Sequence, residues 1–231
     1  MIDHPLLAPS SSWSRTPPFH GDNRGSNPLG VTYATINAMN IFYLHEYPDK
    51  CAQMHCNKHV VKMVLEYTQL LSTAHRLLDG KQSIVKINGR NMKRWTLENN
   101  VLNERLFLAS HVNHPCAVWA RETQDQYLWL HRLLTHLLKE YSFRYGKTHS
   151  VQNRCWDDLR KHPFALNSKR GWREPPQAMP DDFKVHGNSV LAYRKYYVGA
   201  KSKLAKWSVR PAPDWWSLNI LTQKENTNAV L

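Results

Sequence analysis

Seven residues stand out for the chemistry their types allow. His55, Lys58, His59, Lys62, Glu66, Gln69 and Thr73 recur at three- and four-residue steps. On an α-helix that spacing aligns them along one stripe. An imidazole can take or give a proton near neutral pH. Ammonium groups hold phosphates in place, and a carboxylate beside an ammonium is kept ionised. The stripe therefore predicts His59 as acid or base, and Glu66 as support for a developing cation. Lys58, Lys62 and His55 are expected to face phosphates. Lys62 is an alternative amine nucleophile if its pKa is lowered. A solvated helix face with local ion pairs has the same composition.

A second set lies near the end of the chain. From 188 to 210 no acidic residue occurs, while Arg194, Lys195, Lys201, Lys203, Lys206 and Arg210 alternate with Tyr193, Tyr196, Tyr197 and Trp207. Cations neutralise phosphates and aromatic rings stack on exposed bases. The alternative is a core helix with a soluble basic face. A third, smaller set is the run HPCAVWAR at 114–121, whose His114 and Arg121 are placed to line a pocket.

Metal chemistry is the competing use of these histidines. His55 and His59 are four residues apart, and His111, His114 and Cys116 are available as further ligands. No paired cysteine motif supports a zinc site, and Cys56 points to the apolar side of the helix, about 100° from His55. The expectation is no metal and no cofactor, with a zinc-dependent enzyme on a nucleotide or base as an alternative.

The bulk of the chain agrees with a polyanionic partner. The protein has 231 residues, a formal net charge of +13 and 42% hydrophobic residues. Asp3, Arg15, Asp22 and Arg24 cancel, so the whole excess lies in 39–231. Such a balance favours a polyanionic partner, either nucleic acid, DNA first, or an anionic membrane surface. No apolar run reaches the roughly eighteen residues of a transmembrane helix, and no secretory signal pattern opens the chain. Four cysteines at irregular spacing do not make a disulfide framework. An intracellular protein without membrane association is expected.

The elements that must position these groups are mainly α-helical. A long amphipathic helix is expected over 49–80, with Pro48 in its first turn and Gly80 as a left-handed cap. A basic linker follows at 81–95, with a turn at Asn88-Gly89 and a hairpin as one reading. Helices are expected at 97–111, 116–145 and 188–206, with Gly146 ending the middle one. The 49–80 and 116–145 helices should pack together. Residues 147–187 read as an irregular wrapping segment. The fold expected is a compact single-domain helical bundle over 39–216 with a short extended lead-in at 40–45. Residues 1–38 read as a disordered or non-native extension, and 217–231 as a polar tail.

The blocks MNIFY at 39–43, NKHVVKMVLE at 57–66, HPCAVWAR at 114–121, RYGK at 144–147 and YRKYY at 193–197 resemble a family of small phage-encoded proteins. More distantly, the layout resembles the pyrimidine-dimer DNA glycosylase/AP lyase family of the endonuclease V type. That resemblance implies a compact helical enzyme that cuts the glycosidic bond of a damaged pyrimidine in DNA. It also implies phosphate contacts at Lys58 and Lys62 and DNA contacts from the basic, aromatic C-terminus. The family's nucleophile is an α-amine just after the initiator methionine, and the corresponding place is Asn40. The family's glutamate corresponds to His59, with Glu66 two turns further on.

Overall fold

The computed structural model describes residues 40–218; the expected extension at 1–38 and most of the tail at 217–231 lie outside them. The fold is mainly α. In order come α1 (Pro48–Met54), α2 (Asn57–Asp79), β1 (Lys81–Ile87), β2 (Arg90–Thr96), α3 (Asn100–Arg105), α4 (Pro115–Trp119), α5 (Gln124–Tyr145) and α6 (Ser189–Ala200). Short helical turns at Gln152–Trp156, Asp158–Arg160, Phe164–Leu166 and Asp181–Phe183 punctuate the wrapping segment between α5 and α6.

The core forms where α1 and α2 pack on α5. From α2 it takes Val60, Met63, Val64, Tyr67, Leu70, Leu71 and Ala74; from α5, Tyr127, Leu130, Leu133, Leu134 and Leu137. These are the apolar stripes legible in the sequence. The lead-in at 40–44 is extended and fully buried beneath them. Thr123 caps α5 by accepting from Gln126 N–H, and Gly146 closes it in the left-handed conformation at φ 63°. Only glycine adopts that geometry without strain.

Five features of the elements differ from expectation. The helix expected over 49–80 is broken at His55 and Cys56, both extended. Breaking it frees carbonyls at the end of α1, and distant side chains take them. Arg144 donates to Gln53 O at 2.9 Å and to His55 O at 2.8 Å, and the Trp207 indole N–H donates to Met54 O at 3.2 Å. Gly80 is not left-handed but extended, at φ −96° and ψ 149°. Its lack of a side chain is needed all the same, since a Cβ there would collide with Arg76 O. The helix expected over 97–111 shrinks to α3, because the Arg76 guanidinium takes the Asn103, Leu106 and Phe107 carbonyls. The 116–145 helix divides into α4 and α5 at the Thr123 cap, and the last helix stops at Ala200 instead of 206.

The linker at 81–96 is a two-stranded antiparallel hairpin, registered from Lys81 opposite Thr96 to Ile87 opposite Arg90. Asn88 and Gly89 both take positive φ, 49° and 78°, the geometry of the tight turn whose twist matches the strands.

Candidate functional site

The polar stripe of α2 does not face solvent along its whole length. His55, expected among the phosphate-facing groups, has no exposed surface. Its Nδ1 lies 2.7 Å from Cys51 O, and its Nε2 lies 3.1 Å from the Tyr67 hydroxyl. A carbonyl only accepts, so Nδ1 carries the proton and Nε2 accepts from Tyr67. The Tyr67 oxygen in turn accepts the Phe42 N–H at 3.1 Å. Burial holds His55 neutral, lowering its pKa to about 4. The break after α1 rotated this residue inward, which the uninterrupted helix did not anticipate.

His59 is also buried. Its Nδ1 bonds to the Tyr197 hydroxyl, and its ring stacks on Phe42 with centroids 4.2 Å apart. Burial first, then the charges of His55, Lys201 and Lys62, push its pKa far below the ordinary imidazole value. An imidazole held neutral this firmly does not donate a proton near pH 7. This corrects the expectation for His59: its geometry makes it a support joining the lead-in, α2 and α6.

Lys62 remains exposed on α2 as expected, whereas Glu66 is buried beside it. Lys62 Nζ pairs with Glu66 Oε1 at 3.0 Å, with the ammonium largely exposed and the carboxylate only 12% exposed. Glu66 Oε2 is buried and has no hydrogen-bond partner among the described residues. Burial raises the Glu66 pKa, while the Lys62 hydrogen bond and charge, and then His111, pull it back down. A carboxyl shifted upward by burial and held by one ammonium is a candidate for acid–base work.

Glu66 has a distinctive neighbourhood. The Cys116 thiol bonds to the Ile41 backbone and to Tyr193, and lies close enough to Glu66 to feel its charge. Burial raises that thiol to about 12, so it is inert as a nucleophile. Asn40, next to Ile41 and only 3% exposed, carries a second buried side-chain oxygen without a partner. Two unsatisfied oxygens, Asn40 Oδ1 and Glu66 Oε2, thus belong to residues that border the same buried cysteine, directly or through Ile41. Buried polar atoms are usually hydrogen-bonded, so both oxygens are open to a partner from outside the chain. Three residues beyond Glu66, at Gln69, α2 begins to line a hollow of about 400 Å³ completed by Arg76, Asn103, Ser110 and Arg154, among others.

The other candidates divide into two groups. Asn57 N–H donates to Lys206 O at 2.8 Å, and its side chain donates to Ser208 at 2.9 Å. These bonds lay 206–208 across the start of α2, bringing Lys206 to Lys58. Lys201 lies close enough to affect His59 and sits 4.7 Å from the Tyr196 ring centroid. Among the described residues, Lys58, Lys195, Lys201, Lys203 and Lys206 form no ion pair.

Arg121, Arg194, Trp207 and Arg210 are instead engaged by the protein. Arg121 donates to Val112 O and Ala117 O, both at 2.7 Å. Arg194 donates to Leu44 O at 3.0 Å, fixing the lead-in. The Trp207 ring packs 5.0 Å from Trp216, besides its bond to Met54. Arg210 grips Glu140 through both carboxylate oxygens, at 2.6 and 2.8 Å, while Arg144 holds the same carboxylate at 3.0 Å. Within that cluster the Glu140–Arg144 pair follows the four-residue helical step, whereas Arg210, 70 residues away, had no sequence signal.

The ligands of the zinc alternative do not gather. Both His55 nitrogens are engaged, and the described residues contain no group of three or more His, Cys, Asp or Glu able to hold a metal ion. No helix among them is long and apolar enough to cross a membrane. Comparison of the chain with family models, with characterised proteins and with solved structures gives no match.

Proposed function

We propose that this protein binds DNA and acts on a base there, as a glycosylase-like repair enzyme for damaged pyrimidines. The observation that carries the reading is the half-buried Glu66–Lys62 pair, with its unsatisfied oxygen, beside a row of unpaired lysines. Lys58, Lys201 and Lys206 supply phosphate contacts around the start of α2. A base rotated out of the duplex would take the hollow beyond Gln69. In this reading Glu66, one turn before the hollow and outside its lining, serves the sugar carbon, where positive charge develops as the glycosidic bond breaks. An ionised carboxylate stabilises that charge, or takes a proton from the attacking water. Lys62 keeps the carboxylate oriented; once it has passed a proton to Glu66, its neutral amine can attack the sugar carbon as the base leaves. The distant resemblance in layout to the endonuclease V type points to the same class of reaction, although that family's amine and glutamate fall at Asn40 and His59 here, not at Lys62 and Glu66.

The test is base release from ultraviolet-irradiated and abasic duplexes, with borohydride trapping. Glu66→Gln should lower base release by roughly 10²–10⁴-fold while duplex binding persists. A trapped adduct lost in Lys62→Ala assigns the amine. Salt-sensitive binding with neither base release nor adduct would replace this reading with a non-catalytic DNA- or RNA-binding protein, for which the unpaired lysines alone suffice. Wild-type protein that ignores duplexes even at low salt removes both.

A further inference from the structure

The β1–β2 hairpin takes no part in the site just described, yet it is the most uniformly basic element of the fold. Lys81, Lys86, Arg90, Lys93 and Arg94 fall within its two strands, and no carboxylate occurs between Gly80 and Leu97. None of the five forms an ion pair among the described residues. Nearly every strand residue is exposed; only Val85, Arg94 and Trp95 are half-buried. At the root, Arg76 donates to Trp95 O at 2.8 Å. Each strand has seven residues, which at about 3.3 Å per residue makes an arm of roughly 23 Å.

The register decides what such an arm fits. Arg90, Arg94 and Lys81 lie on one face, while Lys86 and Lys93 lie on the other. The exposed apolar residues divide the same way, Ile87 and Met92 on the first face and Ile84 on the second. A ribbon that lay on a lipid surface would need one apolar face and one polar face. This hairpin has neither. A ribbon inside a groove has phosphates along both walls and base edges before it, so cations on both faces are satisfied. The major groove of duplex DNA, about 12 Å wide, admits a two-stranded ribbon.

We propose that the hairpin is a DNA-binding arm that enters the major groove of a duplex, with its five cations on the flanking phosphates. The proposal rests on the DNA reading above for the identity of the polyanion, but not on any chemistry at Glu66. Its turn leads, since Asn88 and Gly89 form the narrowest and least bulky part.

The experiment measures binding of a 30-base-pair duplex across a salt series. It compares the full chain with a hairpin variant (Lys86→Gln, Arg90→Gln, Lys93→Gln) and an α2-face variant (Lys58→Gln, Lys206→Gln). The three hairpin residues are exposed, so unchanged thermal melting is expected and is checked. The hairpin variant should lose roughly tenfold or more in affinity near 0.15 M salt and lower the salt slope by about 2.7. Protection of guanine N7 from methylation, a major-groove readout, should disappear with it. Wild-type affinity, slope and N7 protection in the hairpin variant, with loss only in the α2-face variant, overturn the arm and leave the DNA reading standing. No duplex binding by the wild type, with hairpin-dependent binding to anionic vesicles, overturns both.

Discussion

Two regions of this molecule look alike in composition and behave differently in the fold. The stretch made of α6 with the segment after it and the β1–β2 hairpin are both basic and both interleave cations with bulky apolar residues. In the first, Arg194, Trp207 and Arg210 are occupied by Leu44, Met54 and Glu140. In the second, five cations have no carboxylate partner among the described residues. A charge count along the chain cannot separate the two cases. What separates them is whether a partner hundreds of ångströms of chain away is folded against the group.

The comparison breaks most visibly in acid. His55 and His75 are buried and held neutral, each with a pKa lowered from 6.5 to about 4. The unfolded chain binds protons at these sites first, so stability is full above pH 6.5 and declines as pH falls toward 4. The loss should reach about 3 kcal/mol per imidazole, and the two together approach the whole stability of an ordinary domain. Urea titrations at several pH values measure it; a flat profile between pH 7 and 4 would contradict the burial of these rings. The hairpin contains no histidine and contributes nothing to this slope.

Next in size is Glu140→Ala. It leaves Arg144, buried and also bonded to Gln53 and His55, without its carboxylate, and it frees Arg210. Removing one partner of a buried pair destabilises by about 3–5 kcal/mol, so the denaturation midpoint should drop sharply. A smaller loss, about 1–2 kcal/mol, is expected for Tyr197→Phe, which deprives His59 of its hydroxyl partner. Smallest is Lys86→Gln on the hairpin, where thermal melting should move by no more than about 0.5 kcal/mol equivalent. If Lys86→Gln destabilised as much as Glu140→Ala, the contrast between occupied and available cations would collapse.

Much of the architecture was legible because it is written in local patterns. The apolar stripes of α2 and α5, the Gly146 cap and the Asn88-Gly89 turn each need only neighbours in sequence. The break at His55 and Cys56 was not legible, since no proline or glycine marks it and the apolar period runs through. It exists because Arg144 and Trp207, 89 and 153 residues from the carbonyls they take, favour it. The same non-local force turned His55 and His59 into core groups. Lys62, one turn further along, stayed on the outer surface where helical periodicity put it, while Glu66 is drawn inward beside it.

Arg76 gives the hairpin one last property. Its guanidinium makes five hydrogen bonds, to Trp95, Phe107, Leu106 and twice to Asn103, at 2.6–3.0 Å. This rivets the strand root to the α2 barrel and to the loop behind it. A limb on a slack joint would surrender freedom of motion each time it grasped something, and its grip would weaken accordingly. Held at its root by the Arg76 bond to Trp95 O, the arm gives up less freedom at that end when it meets a partner.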